Sequence, residues 1–180
     1  QEEGVPLAYG GLIFNLLPDL RARIPGHFLG ERLDAAPRVV ESLMTSLRPT
    51  PAAEAIPEAC LRARDHFRRR ESIIGAQLIQ AHSPVGIAPP HVELANRELA
   101  LNIEAALTLG SMAYLGADID WVKGLLGNLE MPVGVLHDYL AAYRRAASEH
   151  LDEPGEPIVS WLGTVLQGNG SNRSWLAGEE

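Results

Sequence analysis

Apolar residues recur along most of this chain at steps of three, four and seven, the spacing that lays one face of an α-helix on a core. In IPEACLRARDHFRRRESIIGAQLIQAH the positions Ile56, Cys60, Phe67, Ile74 and Leu78 follow that spacing with deviations, and Pro57 opens the helix. VELANRELALNIEAALTLGSMAYLGAD is the most apolar segment and predicts the central helix. Pro132 opens PVGVLHDYLAAYRRAASEHL, whose stripe is Val135, Leu136, Tyr139, Leu140 and Tyr143. Shorter helices are expected over DWVKGLLGNLE, over PIVSWLGTVL and over APRVVESLMTSL, the last capped by Asp34 with Pro37 in its first turn. VPLAYGGLIFNLLPDLRARIPG reads as a short apolar helix or arm ending at Pro25-Gly26, and RPTP halts any helix at Pro49 and Pro51. No segment makes a convincing strand. The expected fold is all-α, a single domain of about seven helices: residues 1–30 an N-terminal helical arm, 31–168 the domain and 169–180 a disordered tail.

Composition agrees with helices. Apolar residues make up 46% of the chain, Ala and Leu dominate them, and β-branched runs are nearly absent. A formal net charge of −8 gives no general attraction for phosphate backbones or anionic lipid, so neither nucleic acid nor a membrane is an expected partner. LAYGGLIFNLLP is far shorter than the roughly 20 apolar residues of a span and lacks the basic flank of a signal peptide. The single cysteine, Cys60, excludes an internal disulfide and suits a cytoplasmic location.

Candidate chemistry is sparse. No nucleophile elbow, HExxH, P-loop or dinucleotide fingerprint occurs. Cys60 and His66 fall roughly 240° apart on their helix, which separates a nucleophile from its base. Glu93, Glu98 and Glu104 read as solvated faces or caps. Arg62, Arg64, Arg68, Arg69 and Arg70 spread round one helix and read as a solvated face, or else as a partner for ligand carboxylates. An enzyme is therefore not expected. The segment AHSPVGIAPPHVE is more suggestive, since His82 and His91 flank a proline-rich loop between two long helices. Zinc held there would need two further ligands that no spacing identifies.

GIAPPHVE followed by RELALNIEAALTLGSMAYLGAD resembles the phycobiliprotein-like globins, in which an IAP loop leads into the helix that carries the bilin. With Gly116-Ala117-Asp118 taken as that family's closing turn, Glu104 falls on its glutamate and Asn102 on the aspartate that meets the pyrrole nitrogens. GNLEMPVGVLHDYLAAYRRAA is similar to the helix-loop-helix that follows, so the likeness spans about Ser72 to His150. The departures are Leu99, where the tethering cysteine stands, and Leu101, where the basic residue stands. Within the family the chain looks like the bilin-biosynthesis-associated globins.

The resemblance implies a globin-like fold, a homodimer, and a tetrapyrrole, bilin or haem, held without a covalent link. His82 and His91 would flank its cleft, with His91 as the axial metal ligand if haem is bound. Trp121 and Tyr114 would supply walls and Asn102 a polar contact. The competing expectation is a helical regulatory or interaction module, partner-binding or of the kind found beside cobalamin domains, with no tetrapyrrole. DIDWVKGLL followed by EMPVGVLHDYLAAY carries that second likeness.

Overall fold

The computed structural model describes residues 6–46, 48–82, 88–115 and 133–171. Helices dominate, as the periodicity predicts. The chain folds as two compact units, Gln1–Ile56 and Pro57–Glu180.

The first unit contains what the hydrophobic pattern missed, a pair of two-residue strands. Strand β1 (Ala8–Tyr9) runs parallel to β2 (His27–Phe28), with Ala8 opposite His27 and Tyr9 opposite Phe28. Two residues are too few to display the period-two alternation by which a strand is recognised. Between them lie α1 (Ile13–Leu16) and a 3-10 turn over Pro18–Arg23, so the expected arm is broken into short pieces. Gly26 must be glycine: its φ is 130°, and a Cβ would meet the Leu7 carbonyl oxygen at 2.9 Å.

Arg21 ties this unit together. Its guanidinium stacks 4.1 Å from the Phe28 ring centroid, and its Nε donates to the Phe14 carbonyl at 2.8 Å. The Tyr9 hydroxyl donates to the Arg21 carbonyl at 2.9 Å, and Tyr9, Phe14 and Phe28 form a ring cluster. Helix α2 (Ala36–Ser46) follows a second 3-10 turn, in which the Asp34 carboxylate is forked onto Arg32. That guanidinium holds the Asp34 carboxyl below its usual range. Leu20 and Leu43 are the buried apolar side chains here, whereas Leu7, Leu12, Ile13, Leu16, Leu33, Val40 and Met44 are exposed.

The second unit is built on two long helices, α3 (Glu58–His82) and α4 (Pro89–Leu109). They run antiparallel, since Cys60 donates its thiol to Gly110 O at one end, Arg68 binds Glu104 in the middle, and Gly75 meets Asn96 near the other. Helix α5 (Val133–His150) packs against α3, and α6 (Glu156–Ser171) packs against α5. The buried stripe joins Phe67, Ile74 and Leu78 of α3 to Leu99, Ile103 and Leu107 of α4. Leu136, Tyr139, Leu140 and Tyr143 of α5, and Ile158, Leu162 and Val165 of α6, complete it. Alanines at 63, 95, 106, 146 and 147 share that core, where a short side chain allows close helix approach.

Three helix ends correct the sequence reading. The central helix stops at Leu109 rather than running on to residue 116, because Gly110 takes a left-handed φ of 92°. Its N–H bonds back to Ala106 and Leu107, and the Ser111 N–H bonds back to Ala106. A 3-10 turn over Met112–Leu115 follows. The last helix continues to Ser171, into residues expected in the tail. Asp34 lies two residues before α2, inside the 3-10 turn Leu33–Ala35, and is engaged by Arg32. The expected helix DWVKGLLGNLE, with Trp121, lies outside the described residues, as do the Gly116-Ala117-Asp118 turn and the tail beyond Ser171.

Candidate functional site

A half-open cleft of about 280 Å³ lies where α3, α4 and α5 meet. From α3 it takes Glu71, Ser72, Gly75, Ala76 and Ile79; from α4, Glu93, Asn96 and Arg97; from α5, Tyr143. Ile79 and Glu93 stand close to the two ends of the histidine-bearing loop, so the cleft opens at the loop end of the α3–α4 pair.

Its floor is held by a polar bridge. The Tyr139 hydroxyl donates to Asn96 Oδ1 at 2.9 Å, and Asn96 Nδ2 lies 3.4 Å from the Gly75 carbonyl oxygen. One side chain of α4 thereby contacts both neighbouring helices. We expect Asn96→Ala to lower unfolding free energy by about 1–3 kcal/mol, the cost of losing buried polar partners. Urea denaturation measures this; a loss below about 0.5 kcal/mol would mean that water replaces the amide without penalty.

Tyr143 is the unusual member. It is 1% exposed, packs against the Tyr139 ring at 6.1 Å between centroids, and its hydroxyl has no hydrogen-bond partner among the described residues. Burial pushes that hydroxyl well above the ordinary tyrosine range, and the Glu71 carboxylate pushes it the same way. The group is therefore a neutral phenol at any physiological pH, able both to donate and to accept. Glu71 and Glu93 likewise have no ion pair or hydrogen bond among the described residues, whereas Arg97 lies 3.6 Å from Glu98.

The residues expected from sequence are placed elsewhere. His91 is half-buried in the first turn of α4, and Asn102 is half-buried on the same face, roughly three turns on. At about 100° per residue, Glu93 and Arg97 point from the opposite side of that helix. Asn102 donates to the Glu98 carbonyl of its own helix at 2.7 Å. Tyr114 lies beyond the helix, in the 3-10 turn, and His82 is the last residue of α3. His91, Asn102 and Tyr114 are not among the residues that line the cleft. Among the described residues no three His, Cys, Asp or Glu side chains are placed to hold a metal ion.

No protein-family model matches this chain, and no curated protein or solved structure matches it either. What the site can do follows from its own residues. Leu99, at the tether position of the resemblance, is 1% exposed and belongs to the core. Glu104 forms an ion pair with Arg68 at 2.8 Å, with the arginine half exposed, an arrangement that contributes little to stability. Arg62, Arg69 and Arg70 are exposed, which is the solvated face expected of the arginine cluster.

Several polar residues were misjudged or missed in the sequence. Tyr143 reads there as one position in a core stripe, Glu71 and Asn96 carry no signal, and Glu93, read as a solvated carboxylate, is indeed exposed though it also lines the cleft. His150, which the sequence did not single out, donates from its Nε2 to Gln77 Oε1 at 2.6 Å across α3 and α5. His66 Nε2 accepts the Asp152 N–H at 3.3 Å. Both histidines join helices to their neighbours, and neither contributes to the cleft. No helix among the described residues is long and apolar enough to cross a membrane.

Proposed function

We propose that this chain is a non-enzymatic binding protein whose site is the α3–α4–α5 cleft, and that its ligand is a tetrapyrrole held without a covalent link. The observation that carries the reading is Tyr143: its side chain is 1% exposed, and its hydroxyl, which has no hydrogen-bond partner among the described residues, lines a cleft where an occupant can use it. A volume of about 280 Å³ lies at the small end of ligand pockets, so the cleft holds one end of an extended ligand. Among tetrapyrroles this favours a bilin over haem. A haem would want an axial imidazole, and His91 points from the far side of α4, whereas an open-chain bilin needs none.

Titration of the apoprotein with biliverdin and with haemin, followed by absorption, tests this. The expected result is a saturable bilin band, stable to dilution and lost on denaturation, that moves in Tyr143→Phe and stays in His91→Ala. Flat titrations with both would sink the tetrapyrrole reading, and a Soret band that vanishes in His91→Ala would move the site to the other face of α4.

A second reading, an interaction module, is favoured by the N-terminal unit. Ile13 and Leu16 on α1, Leu12 just before it, and Val40 and Met44 on α2 are exposed together with Leu7 and Leu33. Exposed apolar side chains at that density suit contact with another protein chain, a second copy included.

A further inference from the structure

We propose that the cleft binds its ligand through a protonated nitrogen, an ammonium or amidinium group next to an apolar portion. This rests on the cleft being the binding site, and it holds whichever molecule supplies the nitrogen.

Of the polar side chains that line the cleft, Glu71 and Glu93 only accept, Ser72, Asn96 and Tyr143 can accept or donate, and Arg97 only donates. Glu71 comes from α3 and Glu93 from α4, and neither carboxylate has an ion pair or hydrogen bond among the described residues. The cation of the lining, Arg97, lies 3.6 Å from Glu98 and is 66% exposed, so it does not neutralise them. Between the walls lies the hydroxyl of Tyr143, a side chain 1% exposed, which has no hydrogen-bond partner among the described residues and can accept. Two carboxylates and a phenol oxygen are an acceptor set, and an ammonium group has three N–H donors for it. A carboxylate placed in the cleft would meet two like charges instead. A neutral apolar ligand would strip water from both carboxylates without replacing it. The net charge of −8 adds a long-range preference of the same sign.

Gly75 points to an occupant independently. It stands in the interior of α3, where glycine weakens a helix relative to alanine. Packing does not require it, since an added Cβ would meet only Asn96 Nδ2, at an ordinary 3.6 Å. Its missing side chain leaves room in the cleft beside Ala76 and Ile79, the apolar surface on which the body of the ligand would lie.

The test is calorimetric titration of the full chain with phenethylammonium, agmatine and spermidine, and with 3-phenylpropionate as an anionic isostere of the first. At least one of the cations binds and the anion does not. Glu71→Gln with Glu93→Gln weakens that binding about tenfold or more, Tyr143→Phe weakens it several-fold, and both variants keep the thermal midpoint of the parent. Gly75→Ala raises the thermal midpoint while weakening binding, a combination that a purely structural glycine would not give. The proposal is overturned if no cation binds, if the anion binds as well as its isostere, or if affinity survives the glutamine substitutions. The two readings of the site fail separately. A bilin that binds where all small cations fail overturns this inference alone, and a cation that binds where both tetrapyrroles fail overturns the tetrapyrrole alone.

Discussion

Phe67→Ala lowers the unfolding free energy by roughly 3–5 kcal/mol, the largest effect expected of any single truncation in this chain. The ring is 0% exposed and lies in the cluster where α3, α4, α5 and α6 meet. Its removal costs the transfer free energy of the ring and adds a cavity that helices pinned by neighbouring side chains cannot close. Domains of this size have about 5–15 kcal/mol in hand, so the variant should be marginal at 37 °C. Equilibrium urea denaturation followed by circular dichroism at 222 nm measures the loss. A shift in midpoint worth less than about 1 kcal/mol would show that the helices close over the space.

Gly155→Ala is expected to cost about 2–3 kcal/mol, although it adds a single methyl group. Gly155 is buried in the 3-10 turn between α5 and α6, and a Cβ there would fall on the Cβ of Leu151. Leu151 Cγ and Cδ1 would each lie 3.1 Å away as well. A Cβ cannot rotate aside as the end of a long side chain can, so the α5–α6 corner itself must move. Leu151→Ala would not relieve the overlap, because alanine keeps that Cβ; Leu151→Gly in the Gly155→Ala background would. Thermal denaturation of the single and double variants separates this clash from a loss of backbone freedom. A Gly155→Ala protein with the parent's midpoint would rule the clash out.

Both positions bear on what can be read from a sequence. Phe67 was legible: it repeats with Ile74 and Leu78 at helical steps, and such a repeat marks a buried face whatever it packs against. Gly155 was not, since DEPGEP announces only that a helix ends there. The closeness of Leu151 is a property of how the corner folds back.

The candidate site divides in the same way. His82, His91, Asn102, Tyr114 and Trp121 were singled out by their nearness to a loop or by alignment to a family pattern. His91 and Asn102 do share a face of α4, as their spacing requires, but it is not the face that forms the cleft. Glu71, Asn96 and Tyr143 sit far apart in the chain with no common motif, so nothing local could have joined them. The strand pair was hidden for a related reason, being too short to carry a period.

The sequence by itself determined the helical class, the openings of two long helices next to Pro57 and Pro132, and the stripe each one buries. These follow from forces that act within a few turns: the missing N–H of proline, the 3.6-residue period and the burial of Leu, Ile and Phe. Only the tertiary structure decided where the central helix stops, which histidines join helices, and that two carboxylates and a phenol face one cleft. That convergence depends on how three helices are rotated about their axes against one another. The rotation is set by the packing of all their side chains at once, and no single segment contains it.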